Sequence, residues 1–167
     1  MIVSERLHLR TLSMGDAPFI LRLVNDPDWL KYIGDKHVHN LNEAKEYIEN
    51  GPHLMQAKHG VSLLLVETLA HGVPIGLCGL LKRDSLECPD LGFAFLTDHR
   101  GHGFAFEASQ AVLNYAKTQL KLPKVAAITA LDNISSISLL EKLGFNFSEL
   151  IKLDRDDPGT RLFFLPF

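Results

Sequence analysis

Cysteine is scarce in this chain. Of 167 residues only Cys78 and Cys88 are cysteines, and no CxxC pair exists, which excludes a zinc knuckle and a dithiol redox motif. Cys78, among Leu77, Gly79 and Leu80, reads as a small buried hydrophobe, and Cys88, beside Pro89, as a turn residue. Excess charge is missing too: the net charge is −3, so the basic footprint of a nucleic-acid binder is lacking. No apolar run approaches the ~20 residues of a membrane span, and charge alternates with apolarity from Ser4 onward, unlike a signal peptide. There is no repeat, low-complexity tract or linker. His37 and His39 form a His-x-His, but no third ligand lies near in sequence, so no metal is expected. These absences predict a reduced, soluble, cytoplasmic protein, a monomer or homodimer, with no membrane or nucleic-acid partner.

What is present is an ordinary globular mix, 46% hydrophobic and 22% charged, enough for one domain spanning residues 1–167 with a sizeable core. Arg6-Leu7-His8-Leu9-Arg10 alternates and reads as a half-buried first strand. Asp16 is placed to cap a helix with Pro18 in its first turn, ending at Asn25-Asp26-Pro27-Asp28. Residues 29–40 read as irregular. Asn40 followed by Glu43 resembles a capping box for a helix that Gly51-Pro52 closes. Val61–Leu69, Ile75–Leu81 and Asp90–Leu96 read as an antiparallel three-strand meander, because the connections are short. A helix at 103–119 and a strand at Val125–Leu131 follow, and the helical crossover predicts that this strand runs parallel to the one at 91–96. Asp132-Asn133 opens a last helix stopped by Gly144, and a terminal strand pair completes the chain.

The centre of this layout is the stretch Asp90–Lys117. A strand ends at Thr97-Asp98-His99, then Arg100-Gly101-His102-Gly103-Phe104-Ala105 leads into an Ala-, Gln- and Leu-rich helix. The first amides of a helix have no backbone partner and carry the positive end of its dipole. Glycines in front of them let an anion approach, so strand, loop and helix suggest a phosphate cradle, with Arg100 as an added charge. The alternative is a plain glycine turn. A dinucleotide fingerprint fails, because Phe106 stands where a third Gly or Ala is required and Lys121 and Lys124 stand where an acid is required.

Three features make the chain resemble the GNAT acetyltransferase superfamily. Arg100, Gly103 and Ala105 fit its Gln/Arg-x-x-Gly-x-Gly/Ala motif, Asn133-Ile134-Ser135-Ser136 through Glu141-Lys142-Leu143-Gly144-Phe145 resembles its next motif, and the order of elements agrees over nearly the whole chain. Within the superfamily, Ser4-Glu5-Arg6-Leu7-His8-Leu9-Arg10, Asp90-Leu91-Gly92-Phe93 and Asn133-x-x-Ser136 resemble the ribosomal-protein N-terminal acetyltransferases. The resemblance implies an α+β sandwich, a mixed sheet of about seven strands with helices on both faces. It implies acetyl-coenzyme A as co-substrate. Gly101, His102, Gly103, Phe104 and Ala105, with Arg100, would hold the pyrophosphate, and the edge at Phe93 and Phe95 would pair with the pantetheine arm. The strands at 90–96 and 125–131 would splay apart to admit the acetyl group.

Transfer to an amine needs a neutral amine, a donor for the carbonyl oxygen and a proton or hydrogen bond for the departing thiolate. A backbone N–H near Phe93–Phe95 is the expected oxyanion donor. Many relatives place a tyrosine before Glu-Lys, but Leu140 stands here, so Ser136 is the candidate for the sulfur and Asn133 for orienting the pantetheine or a water. Their alternative reading is a helix cap and a surface serine. Asp90 and Glu87 are the candidate bases, or else strand-end charges. His99 and His102 read as solvated loop residues. Trp29 and Tyr32 are candidate acceptor contacts, with Asp26, Asp28 and Asp35 as attractors of a cationic amine; the alternative is a structural loop with one buried tryptophan. The expected function is N-acetyl transfer to a primary amine, foremost a protein N-terminus. The alternatives are a polyamine or antibiotic acceptor, or a coenzyme-binding sensor with little turnover.

Overall fold

A computed structural model describes all residues 1–167. Its strands are β1 (Ile2–Val3), β2 (Leu7–Arg10), β3 (Leu63–Thr68), β4 (Pro74–Leu81), β5 (Asp90–Phe95), β6 (Lys124–Ala130), β7 (Asn146–Ile151) and β8 (Thr160–Pro166). They form one sheet in the order β1-β2-β3-β4-β5-β6-β8-β7. The eighth strand, beyond the expected seven or so, is β1: two residues are too short to show a period, and only the pairing of Ile2 with Leu9 and Val3 with His8 reveals it.

Alternation along the strands sends neighbours to opposite faces. Leu65 and Leu77 pack with α1 (Ala17–Leu23) and α3 (Leu41–Ile48), in a cluster that includes Ile20, Val24, Trp29 and Ile48. Val66 and Cys78 pack the other way, with Ala108, Val112 and Ala116 of α5 (Phe104–Thr118) and Leu140 of α6 (Ile134–Leu143). Each fully buried leucine here contributes roughly 1.5–3 kcal/mol relative to leaving it in water. Leu86, Cys88, Ala126 and Leu162 form a third, smaller cluster at the β6–β8 end.

Three local expectations are corrected. Asp16 does not cap α1 with its side chain: Oδ2 accepts the Ser13 N–H at 2.7 Å, and the carboxylate holds the Arg10 guanidinium by two bonds of 2.9 Å. Residues 29–40 are not wholly irregular, because Pro27–Tyr32 forms a short helix α2 whose cap, Asp26 Oδ1, accepts the Asp28 N–H at 3.0 Å. Gly51-Pro52 does not end α3. The helix widens into a π turn over Glu49–His53, which carries the buried Pro52, and continues as α4 (Leu54–His59). A proline lacks the N–H that an ordinary helical ladder requires, and a widened turn tolerates the gap.

The meander is as read, and Asn40 caps α3, although Glu43 bonds the Asn40 side-chain amide and not the backbone N–H that a full capping box uses. Asn40 Oδ1 accepts the Glu43 N–H at 2.8 Å while its amide donates to Glu43 Oε1 at 2.7 Å. β5 and β6 are parallel, but only Asp90–Ala126 and Leu91–Ala127 are in register. Past that point β5 stays paired to β4 as far as Phe95, and β6 stays paired to β8 as far as Ala130. Each strand keeps its outer neighbour while the inner edges part. The result is a V-shaped opening between residues 92–95 and 128–130.

Candidate active site

The loop before α5 carries two residues in the left-handed region, Gly101 at φ 79° and Gly103 at φ 80°, a conformation that costs any other residue. Their surroundings differ. A Cβ on Gly101 would meet no atom within 4 Å, whereas one on Gly103 would lie 3.5 Å from Arg6 Nη2. Gly103 is the N-cap of the 15-residue α5 and supplies no side chain to its first amides. Those amides, the helix dipole and the open face over Gly101 form a cradle that fits a diphosphate.

Arg100 does not serve this cradle. Its Nη2 donates to the Phe95 carbonyl at 2.8 Å and its Nε to the same oxygen at 3.2 Å. The guanidinium also pairs with Asp28 and, at 3.6 Å, with Asp26. The expected phosphate cation is therefore turned toward α2, because two carboxylates and a carbonyl converge on it from that side. The guanidinium beside the loop belongs to Arg6, from the turn before β2. Its Nη1 donates to the His102 carbonyl at 3.0 Å, its Nε to Glu107 Oε2 at 2.7 Å, and it stacks 4.4 Å from the Phe104 ring centroid. Glu107 Oε1 also accepts from Ser4 Oγ and the Arg6 N–H, each at 2.7 Å. Burial pushes the Glu107 carboxyl up, but these bonds outweigh it and hold the group below its ordinary range. Sequence reasoning used Arg6 only as part of a strand pattern; a contact across 101 positions leaves no local signal.

The opening between β5 and β6 lies beyond this loop. The Leu96 N–H donates to Ile75 of β4, so by alternation the N–H and C=O of Phe93 and Phe95 face the other way, into the opening. The Phe95 carbonyl is taken by Arg100. Phe93, past the last registered pair, presents its edge to the gap. Asp90 sits at the closed end and is only 1% exposed. Its Oδ1 accepts from Arg83 Nε at 3.0 Å, while its Oδ2 is buried without a partner. Burial pushes its pKa up more than Arg83 pulls it down. Glu87, the other candidate base, is exposed and held by Lys124 Nζ at 2.6 Å.

Asn133 caps α6, its Oδ1 accepting the Ser136 N–H at 3.3 Å, and Ser136 is half-buried in the first turn. Leu140 lies entirely within the core. Thr129, which sequence reasoning passed over, is 6% exposed on β6 with no partner for its hydroxyl. Trp29 is drawn into the α1–α3 cluster at 4% exposure, the buried tryptophan of the alternative reading and not an acceptor contact. Tyr32 remains half-exposed, with Lys31 Nζ 4.8 Å from its ring. Asp35 accepts the His37 N–H at 2.7 Å and closes its own turn.

A family model described as an acetyltransferase (GNAT) domain matches residues 6–146. The chain belongs to the GNAT acetyltransferases. It is 29% identical over 154 residues to the uncharacterized protein YkkB of Bacillus subtilis, covering 90% of this chain and 88% of that one. It is 26% identical over 144 residues to the spermidine N(1)-acetyltransferase of Vibrio cholerae, covering 86% and 80%. In fold it is similar to RimL, a ribosomal-protein α-N-acetyltransferase solved with coenzyme A disulfide-bonded to a cysteine, with a TM-score of 0.84 at 15% identity, covering 99% and 96%. The GNAT chain is thus an acetyl-CoA-dependent N-acetyltransferase. The α5 cradle, the open space at Gly101 and the parted strands are the features of this structure that fit the co-substrate. No helix is long and apolar enough to cross a membrane.

Proposed function

We propose that the acceptor is a single primary amine at a protein N-terminus, not a polyamine. The observation that carries this is that Asp26, Asp28 and Asp98, on the α2 side of the opening, are each held by an arginine. Asp26 caps α2, accepts Thr97 Oγ1 at 3.0 Å and pairs with Arg100; Asp28 pairs with Arg100; Asp98 holds Arg22 at 2.8 Å; Asp35 serves its own turn. A polycation requires several uncommitted carboxylates, while an N-terminal amine requires only a site that takes it neutral. The fold likeness to a ribosomal-protein acetyltransferase supports the same reading.

When bound, acetyl-CoA supplies an acyl carbon already activated as a thioester. The remaining work falls to the chain. The loop amides of residues 101–105 and the positive end of α5 bind the diphosphate, and the outward-facing edge of Phe93 aligns the arm as an added strand. A Phe93 or neighbouring N–H aimed into the gap steadies charge on the carbonyl oxygen. Ser136 donates to the sulfur, and Asn133 sets the start of the helix that presents it. Asp90, behind the point where the strands part, accepts the amine proton through water on its unpartnered Oδ2, a role favoured by its raised pKa.

A thiol-release assay comparing peptides with a free N-terminal Ala or Ser against spermidine tests the acceptor. Peptide-dependent thiol with spermidine near background is the expected result. Faster release with spermidine would reverse the assignment.

A further inference from the structure

Thr129 is the one residue of β6 that is both nine-tenths buried and polar at a place where the strand has lost its neighbour. It is 6% exposed, and its Oγ1 has no hydrogen-bond partner in the protein. Leaving a buried hydroxyl unpaired costs about 1–3 kcal/mol, so such a group calls for an explanation. The rest of β6 offers none. Val125 and Ala127, which share its side of the strand, are apolar members of the main core, and no other side-chain oxygen on this strand is buried. Its backbone is held by β8 opposite Arg161, so the strand cannot rotate to bring the hydroxyl to water.

The position within the V gives the orphan a meaning. Pairing with β5 ends at Ala127, two residues earlier, so Thr129 stands where the gap has opened but has not reached solvent. Across the gap lies the unpaired edge of β5, and α6, with half-buried Ser136 in its first turn, starts four residues after β6 ends. The core residue Leu140 cannot supply a polar hydrogen on this helix. Thr129 is therefore a second hydroxyl on the β6–α6 unit, more deeply enclosed than Ser136.

We propose that Thr129 Oγ is a ligand contact inside the splay, donating a hydrogen bond to the sulfur end of the bound acyl-coenzyme A arm. This rests on the acetyltransferase reading of the same opening. Threonine cannot hand over its proton at neutral pH; its role is to steady the sulfur as charge grows there, alongside Ser136.

Three variants test it. Thr129→Val keeps the shape and removes the hydroxyl. The expected result is a kcat lower by about tenfold, equivalent to one hydrogen bond, with KM for acetyl-CoA little changed. The ligand-free Tm should rise, because an unpaired polar atom has been removed. Thr129→Ser should restore kcat. Thr129→Cys, incubated with the symmetric disulfide of coenzyme A, should exchange to a protein–coenzyme mixed disulfide and release one free coenzyme A, read by intact mass and peptide mapping and reversed by dithiothreitol. The wild-type protein should remain unlabelled, because position 129 then has no thiol and Cys78 and Cys88 are buried, which pushes the Cys78 thiol up to about 12 and raises that of Cys88. A Thr129→Val enzyme with higher Tm and unaltered kcat would overturn the proposal and leave Thr129 a tolerated core hydroxyl. A change confined to KM would also overturn it, by moving the contact away from the sulfur. If Thr129→Cys stays unlabelled while coenzyme still protects the protein thermally, the placement fails but the coenzyme site stands; if coenzyme binds to neither form, the reading of the opening fails with it.

Discussion

Two arginines flank the glycine loop before α5, and they do opposite things. Arg100, which the family motif names, turns away: it ties the Phe95 carbonyl at the end of β5 to Asp26 and Asp28 of α2. Arg6, which no loop motif includes, lies against the loop itself, on His102, Phe104 and Glu107. One joins the end of β5 to α2; the other joins the start of the chain to α5. Matching a residue type to a motif therefore did not reveal where its charge goes. Carboxylate partners decided that, and those partners are 72 positions away for Arg100–Asp28 and 101 for Arg6–Glu107.

The contrast can be broken most severely at Gly103. Gly103→Val places a β-branched residue at φ 80° and drives its methyl groups toward Arg6 Nη2. A branched side chain there also stands between an incoming anion and the first amides of α5, so coenzyme affinity should fall by roughly tenfold to a hundredfold, measurable by titration calorimetry. Unaltered affinity would mean that the loop is not the diphosphate site.

The two arginines should then separate by substrate. Arg6→Ala should weaken acetyl-CoA binding by about five- to tenfold, the range of one charge-assisted contact, while leaving the acceptor KM in place. Acetylpantetheine, which has no diphosphate, should bind the variant and the wild type alike. Arg100→Ala should do the reverse, raising the acceptor KM severalfold with a smaller effect on coenzyme. Its ion pairs are partly exposed, with side chains 39% and 46% exposed for Arg100 and Asp28, so each is worth only about 0.2–1 kcal/mol. Equal effects of both variants on both substrates would erase the distinction.

The smallest effect is one of pH. Glu107 has its folded pKa held below the ordinary 4.5. The stability it contributes is therefore present above that pH and is lost as pH falls through the folded value. Thermal melts of the wild type should drop more steeply below pH 4.5 than those of Glu107→Gln. Parallel slopes would show that the Arg6 side of the loop does not depend on this carboxylate.

Much of this architecture was readable in residue order. The meander follows from short turns between apolar runs, the parallel β5–β6 pair from its helical crossover, and the α3 cap from Asn40 and Glu43. Residues whose environment is set by distant chain were not readable. Trp29, in a stretch that read as irregular, fitted an acceptor contact or a buried tryptophan equally, and only the packing of α2 decides for the core. Pro52 looked like a terminator, yet a π turn carries it. Thr129 gave no signal, since a threonine in a strand is common and only the missing neighbour makes its hydroxyl an orphan.

By itself, the order of residues determined most of the elements, the glycine loop before α5 and membership of the GNAT acetyltransferases. These depend on local periodicity and backbone preference, which act over a few residues. The tertiary structure alone decided how far β5 and β6 stay paired, which arginine attends the loop, and which buried oxygens, Asp90 Oδ2 and Thr129 Oγ1, are left for a ligand or a proton. Those outcomes depend on hydrogen bonds and burial between segments remote in the chain, and a hydrogen bond is satisfied or left unmade only once both sides have been brought together.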